Sequence, residues 1–275
     1  MKENAYAYEV LMETDPMVLR SLLRERVHHT VECRLYPAVF GGKKLNAGPE
    51  ETARRLLQVW QERKLPEDGA DIRWAKQLFL MYDQILAGQK PAFAGALPAP
   101  LPAAEQKAVE RLIINRRSFR QWTDQDVPKS TVDRLILAGN WGPTACNVQP
   151  VRYLVLDTKE ALEKLPSMEF SGERVKIILC LDLRPYEVRV NIPKRNHYLD
   201  VGAAAQNILL LAQAMGIGAV WGTFVEREMV EIRKHLALPE YIELVTYLSL
   251  GYASESVLAP GRMSLDDVIL HRTSR

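Results

Sequence analysis

Cysteine is scarce in this chain. Only Cys33, Cys146 and Cys180 occur in 275 residues, and they lie far apart. The odd count argues against a disulfide framework, and without a CxxC pair there is no ligand set for a structural zinc ion. An excess of charge of one sign is also missing, since 36 Lys and Arg face 34 Asp and Glu for a formal net charge of +2. That balance gives no electrostatic reason to expect a nucleic acid or an anionic membrane as partner. No apolar run approaches a membrane span; the best candidate, Ile208 to Leu211, is interrupted by Gln206, Asn207 and Gln213. The first fifteen residues lack a basic-then-apolar signal pattern. These absences lead to the expectation of a cytoplasmic protein with reduced thiols.

What is present is the ordinary balance of a globular protein, 47% apolar and 25% charged. Residues 1–90 read as helical. Thr14-Asp15-Pro16 is a helix start, with a capping side chain followed by proline in the first turn, and Leu19, Leu22, Leu23 and Val27 recur at helical spacing. A second helix starts at Gly48-Pro49-Glu50-Glu51, and a third spans roughly 72–86 with Trp74, Leu78, Phe79, Tyr82 and Ile85 as its buried face. Gly88 to Ala103 then carries four prolines and two glycines, which cannot continue a helix. The division is therefore a helical extension over 1–90, a Pro/Ala-rich linker over 91–103, and a main domain over 104–275.

The main domain alternates helices and strands. Strands are expected at 151–157, 175–181, 219–224 and 244–252, and the continuous apolar run of the second implies burial on both faces. A long, almost wholly apolar helix starts near Asn196 or Asp200 and stops at Gly216, so it is a domain centre or an oligomer interface.

The stretch from Asn115 to Pro150 concentrates the chemistry. Arg116, Arg117, Ser118 and Arg120 close an apolar-periodic helix, and planar guanidinium forks match phosphate oxygens two at a time. The loop Pro143-Thr144-Ala145-Cys146-Asn147-Val148-Gln149-Pro150 ends the stretch. Asn147 and Gln149 each offer a donor and an acceptor, which suits the edge of a heterocycle. One end could hold a phosphate and the other an aromatic ring. Each feature also has a plainer reading. An Arg-rich helix end can cap the last carbonyls, and Asn147 can be a turn residue. Cys146 reads as a small buried thiol, because no His follows in a motif that would activate it. His28, His29, Glu32 and Cys33 put only one or two ligands on each helix face, too few for a metal. Gly216-Ile217-Gly218 follows a helix and precedes a strand, the reverse of a dinucleotide fingerprint, and is a helix stop.

The ordered set of an RRSxR turn, a P-[ST]-x-x-N-x-QP loop, D-x-G-x-x-x-Q-N opening a long helix, G-x-G-x-x-W-G, LGY and a late Arg resembles the FMN-dependent nitroreductase-like flavoproteins over residues 104–275. His29-Thr30-Val31-Glu32 with Leu35 and Phe40-Gly41 is similar to relatives that carry an N-terminal helical extension. The resemblance implies an α+β fold, a mixed sheet flanked by helices in an intertwined homodimer with FMN at the interface. It implies electron transfer from NAD(P)H through flavin N5 to a small organic acceptor of nitroaromatic, quinone or enone type. The flavin carries the chemistry, so no catalytic side chain and no metal is required.

Carried over by position, the resemblance assigns Arg116, Arg117, Ser118 and Arg120 to the phosphate, ribityl and ring edge. Asn147 and Gln149 go to the ring, and Pro143 and Thr144 to a loop that approaches the other subunit's flavin. Trp221, Gly222 and Thr223 go to the neighbourhood of N5, and Arg262 to the phosphate clamp. Pro260 and Val148 depart from the family pattern, which has basic residues there. Arg184, Tyr186 and His197 lie in a region that borders the substrate opening in this fold. Two alternatives stand beside the reductase: an FMN-dependent dehydrogenase or oxidase acting on a dedicated biosynthetic intermediate, which the N-terminal extension favours, and a non-catalytic flavin-binding protein.

Overall fold

A computed structural model describes residues 6–92, 97–166, 168–187 and 192–273. Part of the proline-rich segment, residues 93–96, lies outside the described residues. The N-terminal helices are α1 (Tyr8–Glu13), α2 (Pro16–Val27), α3 (Cys33–Gly41), α4 (Glu51–Glu62) and α5 (Ala70–Leu86). Asp15 caps α2 as its sequence suggests, with Oδ1 accepting from the Met17 amide at 2.8 Å. Between α2 and α3 the chain makes one π-helical turn, His28–Glu32. This turn and α3 were not legible beforehand, because Pro37 lies inside α3 and reads as a helix breaker.

The N-terminal helices bury their own core. Leu19, Leu23, Val27, Leu56, Val59, Ile72 and Tyr82 pack in one apolar cluster drawn only from residues 6–85. Trp74, expected in that core, is only half-buried.

The second half contains α6 (Ala103–Asn115), α7 (Lys129–Asn140), β1 (Val151–Leu156), α8 (Lys159–Glu163), β2 (Val175–Asp182), α9 (Arg184–Glu187), α10 (Lys194–Ala214), β3 (Gly218–Gly222), α11 (Glu226–His235), β4 (Ile242–Gly251) and α12 (Leu265–Val268). The four strands form one sheet in the order β1-β2-β4-β3. The α+β architecture is as the sequence suggested, with one correction. The sheet was expected to be mixed, yet every ladder among the described residues is antiparallel. A parallel neighbour needs a crossover that returns the chain in the same direction, and none of these three pairings is built that way.

All eight residues of β2 are buried. Ile177, Leu179 and Leu181 face the cluster containing α7 and α10, whereas Ile178 and Cys180 face α11 and Tyr247. This period-two alternation with both faces covered explains the unbroken apolar run. Helix α6 is different: no residue on it is buried, and Ile113 and Ile114 lie exposed. No helix among the described residues is long and apolar enough to cross a membrane.

Candidate functional site

Arg116 caps the end of α6, and the following turn is sewn to the β3 edge of the sheet. The Phe119 amide donates to the Ala219 carbonyl at 3.1 Å, and the Thr123 amide to the Tyr252 carbonyl at 2.8 Å. Arg116, Arg117 and Arg262 make no carboxylate salt bridge among the described residues. Among the described residues their guanidiniums bond only backbone carbonyls: Arg116 to Arg117, Arg117 to Ile114 and Arg116, and Arg262 to Gly261. Arg117 thus does cap helix carbonyls, as the plainer reading allowed. Burial, followed by the like charges of Arg262 and Arg117, pushes the pKa of Arg116 below the usual arginine value. Arg262 is therefore close enough to Arg116 to repel it, although 146 positions separate them in the chain. Gathered cations without a counter-ion suit a phosphate. Ser118 lies half-buried in the same turn. Arg120 is exposed and set over the Phe170 ring at 5.5 Å, while its amide bonds the Glu255 carboxylate.

Trp221 and Gly222 lie at the far end of the same edge strand and Thr223 just beyond it, two to four residues on from Ala219, roughly 7–13 Å away. The Trp221 indole donates to Thr246 Oγ1 at 2.5 Å, and that hydroxyl donates to the Gly222 carbonyl. A Cβ at Gly222 would run into the Tyr247 ring, so only glycine lets the strand end lie there. A clamp and a backbone shelf this far apart fit the two ends of a mononucleotide.

The loop Pro143–Gln149 lies elsewhere. It leads into β1, whose first residue, Val151, pairs with Leu181; Leu181 pairs with Glu243 at the start of β4. The Arg116–Arg120 turn adjoins Gly218 and Gly251, at the other end of β4 and the opposite edge. Three strand spacings and eight residues along a strand separate these corners, roughly 25–30 Å. The structure therefore does not bring the two ends of the Asn115–Pro150 stretch together within one chain.

The loop is held in an uncommon conformation. Cys146, Asn147 and Gln149 have φ of 54°, 56° and 51°. Left-handed backbone at non-glycine residues costs about 1–2 kcal/mol each and persists only where surroundings enforce it. Here Asp200 Oδ1 accepts from the Ala145 amide at 3.0 Å, and Arg24 Nη2 donates to the Val148 carbonyl at 2.8 Å. The Gln149 side-chain amide donates to Asn147 Oδ1 at 2.9 Å, so each of these two amides keeps one further polar group. Cys146 is half-buried instead of fully buried.

The three residues expected to border a substrate opening are engaged in the scaffold. Arg184 is ion-paired with Asp182 at 2.7 Å and with Asp15 at 3.0 Å, and it stacks on Tyr241. Its hydrogen bond to Asp182 raises its pKa further. Tyr186 is buried, donates to Asp200 Oδ2 at 3.2 Å, and stacks on His197 with ring centroids 3.4 Å apart. Burial lowers the pKa of His197. These contacts position the loop and tie α2 to the main sheet; Arg184, Tyr186 and His197, expected at a substrate opening, each have a partner within the chain.

Sequence reasoning missed Arg20, Arg24, Asp71 and Arg152, which line a crevice of about 590 Å³ beside Asn147 and Gln149. The one available signal was the i,i+4 spacing of Arg20 and Arg24 on a helix otherwise committed to the core.

Comparison with known proteins identifies the family and the fold. The sequence model of the nitroreductase family matches residues 113–177 and 174–252. A protein of Methanothermobacter thermautotrophicus named as a candidate NADH dehydrogenase/NAD(P)H nitroreductase is 34% identical over 162 residues, covering 56% of this chain and 81% of that protein. Among solved structures, a candidate NADH dehydrogenase/NAD(P)H nitroreductase of Parabacteroides distasonis superposes with a TM-score of 0.52 and 29% identity, over 60% of this chain and 98% of its own. A candidate nitroreductase of Desulfovibrio desulfuricans, solved in complex with FMN, gives a TM-score of 0.50 and 26% identity, over 61% of this chain and 98% of its own. The family match spans 113–252, 140 of the 275 residues, and takes in the arginine turn, the left-handed loop and the β3 shelf; the chain belongs to the nitroreductase family.

Proposed function

We propose that the protein is an FMN-dependent oxidoreductase that takes electrons from NAD(P)H and passes them to a small organic acceptor of nitroaromatic, quinone or enone type. The observation that carries this reading is the cation cluster of Arg116, Arg117 and Arg262, which has no counter-ion among the described residues and shares the β3 edge with Trp221–Thr223. Bound FMN supplies the two-electron chemistry, and the chain's task is to hold and orient it. Arg116, Arg117 and Arg262 would hold the phosphate, Ser118 the adjoining hydroxyls, and Arg120 the polar edge of the ring. The backbone of Trp221, Gly222 and Thr223 would face the redox-active centre of the ring.

Pro143, Thr144, Asn147 and Gln149 sit at the opposite corner and would complete the site of a second copy. A homodimer is therefore part of the proposal. The exposed apolar residues of α6, with Leu137 and Leu199, support it, since an isolated chain would leave them in water. The division into an extension over 1–90, a linker over 91–103 and a flavin domain over 104–275 is retained in the same proposal, with the separate apolar core of the N-terminal helices in its support.

The test is flavin content. Purified protein should be yellow and release FMN on denaturation, and Arg116→Ala with Ser118→Ala should strip the flavin while the far-ultraviolet circular dichroism is kept. Unchanged flavin in that double variant would defeat the placement. The oxidase reading has one observation in its favour, the walled crevice built by the N-terminal helices. Substrate-dependent oxygen uptake in a protein whose flavin neither NADH nor NADPH bleaches would select it.

A further inference from the structure

Arg20 and Arg24 stand one turn apart on α2 and present their guanidiniums to the same place. Arg20 grips Asp71 through Nε at 2.8 Å and Nη2 at 2.5 Å. Arg24 Nη1 reaches the same carboxylate at 2.8 Å. Arg152, from β1, donates through Nη1 to the Gln149 and Val151 carbonyls and keeps Nη2 3.5 Å from Asp182. All three arginines line the crevice between α2, α5 and the left-handed loop, with Trp74 and Trp141 in the same wall.

The charge there does not balance. Three guanidiniums face one lining carboxylate, Asp71; Asp182 lies behind Arg152 and is shared with Arg184. Among the described residues, Arg24 Nε and Arg152 Nη2 are buried and find no hydrogen-bond partner. Arg24 is only 4% exposed, and its pKa is lowered by burial and by the charges of Arg20 and Arg152. Arg24 is buried and shares Asp71 with Arg20, and a buried cation that must share its counter-ion is costly unless a further anion joins it. Planar forks select planar oxyanions, and indole faces favour a ring attached to that anion. About 590 Å³ is room for a ligand of one or two rings.

We propose that this crevice binds a small aromatic carboxylate, its anion at Arg20, Arg24 and Arg152 and its ring against Trp74 and Trp141. That this ligand is the electron acceptor rests on the flavin reading, in which Asn147 and Gln149 face the partner's ring; that the crevice binds it does not. The N-terminal extension then determines specificity, supplying two of the three cations.

The test is calorimetric titration of the purified full-length protein with benzoate and with its neutral analogue benzamide. Benzoate should bind at least ten-fold more tightly. Arg20→Gln should abolish that preference, because Arg20 is the most accessible of the three cations and its removal leaves the buried Arg24 bonds in place. Arg20→Lys should restore part of it. Trp141→Ala, at a site 80% exposed, should weaken both ligands several-fold, and it serves as the second probe where Arg20→Gln fails to fold. Equal binding of benzoate and benzamide, or a ten-fold preference that survives Arg20→Gln, overturns the proposal. Flavin absorbance of the same samples separates the two readings. Colourless protein that still prefers benzoate defeats the flavin site and keeps the crevice; yellow protein without the preference does the reverse. With nitro substrates, 4-nitrobenzoate should show a lower KM than nitrobenzene, and Arg20→Gln should raise the ratio of the two KM values at least ten-fold.

Discussion

Arg24 on α2 donates through Nη2 to the carbonyl oxygen of Val148 at 2.8 Å, across 124 positions of sequence. That bond ties the N-terminal helices to the strained loop, and the loop's left-handed residues flank its acceptor on both sides. Arg24 also bonds Asp71 and Ser21, so one guanidinium serves two helices and the loop. Replacing it with Met leaves the Val148 carbonyl buried without its donor and Asp71 with a single cation. Breaking a buried pair from one side typically costs about 3–5 kcal/mol. Arg24→Met should lower the stability measured by urea unfolding by roughly that amount. A loss under 1 kcal/mol would mean that the loop holds its shape without α2.

Asp71 gives the same junction a dependence on acid. Burial pushes its pKa up, but hydrogen bonds from Arg20 and Arg24 outweigh this and hold it at about 2, below its ordinary 3.8. A depressed carboxylate stabilises the folded state fully above the unfolded value, and this contribution is lost as pH falls through the folded one. The window therefore runs from about pH 4 down to about pH 2. The size is roughly 1–2 kcal/mol once solvent screening is allowed for. Asp71→Asn should be less stable than the parent at pH 7, and the difference should shrink on acidification through that window. An unfolding series at several pH values checks both the sign and the window.

Much of the scaffold was legible in local pattern. Asp15-Pro16 announced α2, the apolar run from Val175 announced β2, and Gly216 announced the end of α10. What escaped depends on partners distant in the chain. The π turn at His28–Glu32 and the helix through Pro37 go against propensity and are held by packing. The burial of Arg24 is set by Asp71 and Val148, neither of them near it in sequence. The strand order β1-β2-β4-β3 decides that the arginine turn and the Asn147 loop occupy opposite corners, and no local spacing encodes strand order. Arg184, Tyr186 and His197 read as substrate contacts because a loop with bases and a tyrosine resembles a binding loop. The partners they have within the chain, Asp15 and Asp182 for Arg184, Asp200 for Tyr186 and the Tyr186 ring for His197, are visible only in three dimensions.

Gly222 offers a test of packing that does not depend on a ligand. Its missing side chain is where the Tyr247 ring passes, and Tyr247 is fully buried. Gly222→Ala forces the ring or the strand to move. Overpacking of this kind costs about 1–3 kcal/mol, and the shelf beside Trp221 should shift with it. The variant should show a lower unfolding midpoint together with weaker flavin retention. Full flavin retention at lowered stability would detach the shelf from the site.

Asp200 anchors the loop at Ala145, three residues before the carbonyl that Arg24 holds. It is 4% exposed, its pKa is raised by burial, and it accepts from the Ala145 amide and the Tyr186 hydroxyl. Asp200→Ala leaves a backbone amide and a phenol unpaired inside the protein, at about 1–3 kcal/mol each before relaxation. Asp200→Asn keeps an acceptor for one of them and should cost less. Hydrogen exchange at residues 144–149 should quicken in both, more in the alanine variant.

The cluster of Arg116, Arg117 and Arg262 predicts opposite signs for stability and binding. Like charges held together without a counter-ion strain the empty protein, and the anion they gather relieves that strain. Arg262→Glu turns repulsion of Arg116 into attraction. The unfolding temperature of flavin-free protein should therefore rise, while FMN affinity falls at least ten-fold. Arg262→Ala should shift both in the same directions by less. Inorganic phosphate should stabilise the flavin-free parent more than either variant. If Arg262 were only a surface residue, neither quantity would move, and if it were a purely structural residue, both would fall together. Differential scanning fluorimetry with and without FMN reads both quantities in one experiment, and a rise in one with a fall in the other is the signature of a binding clamp.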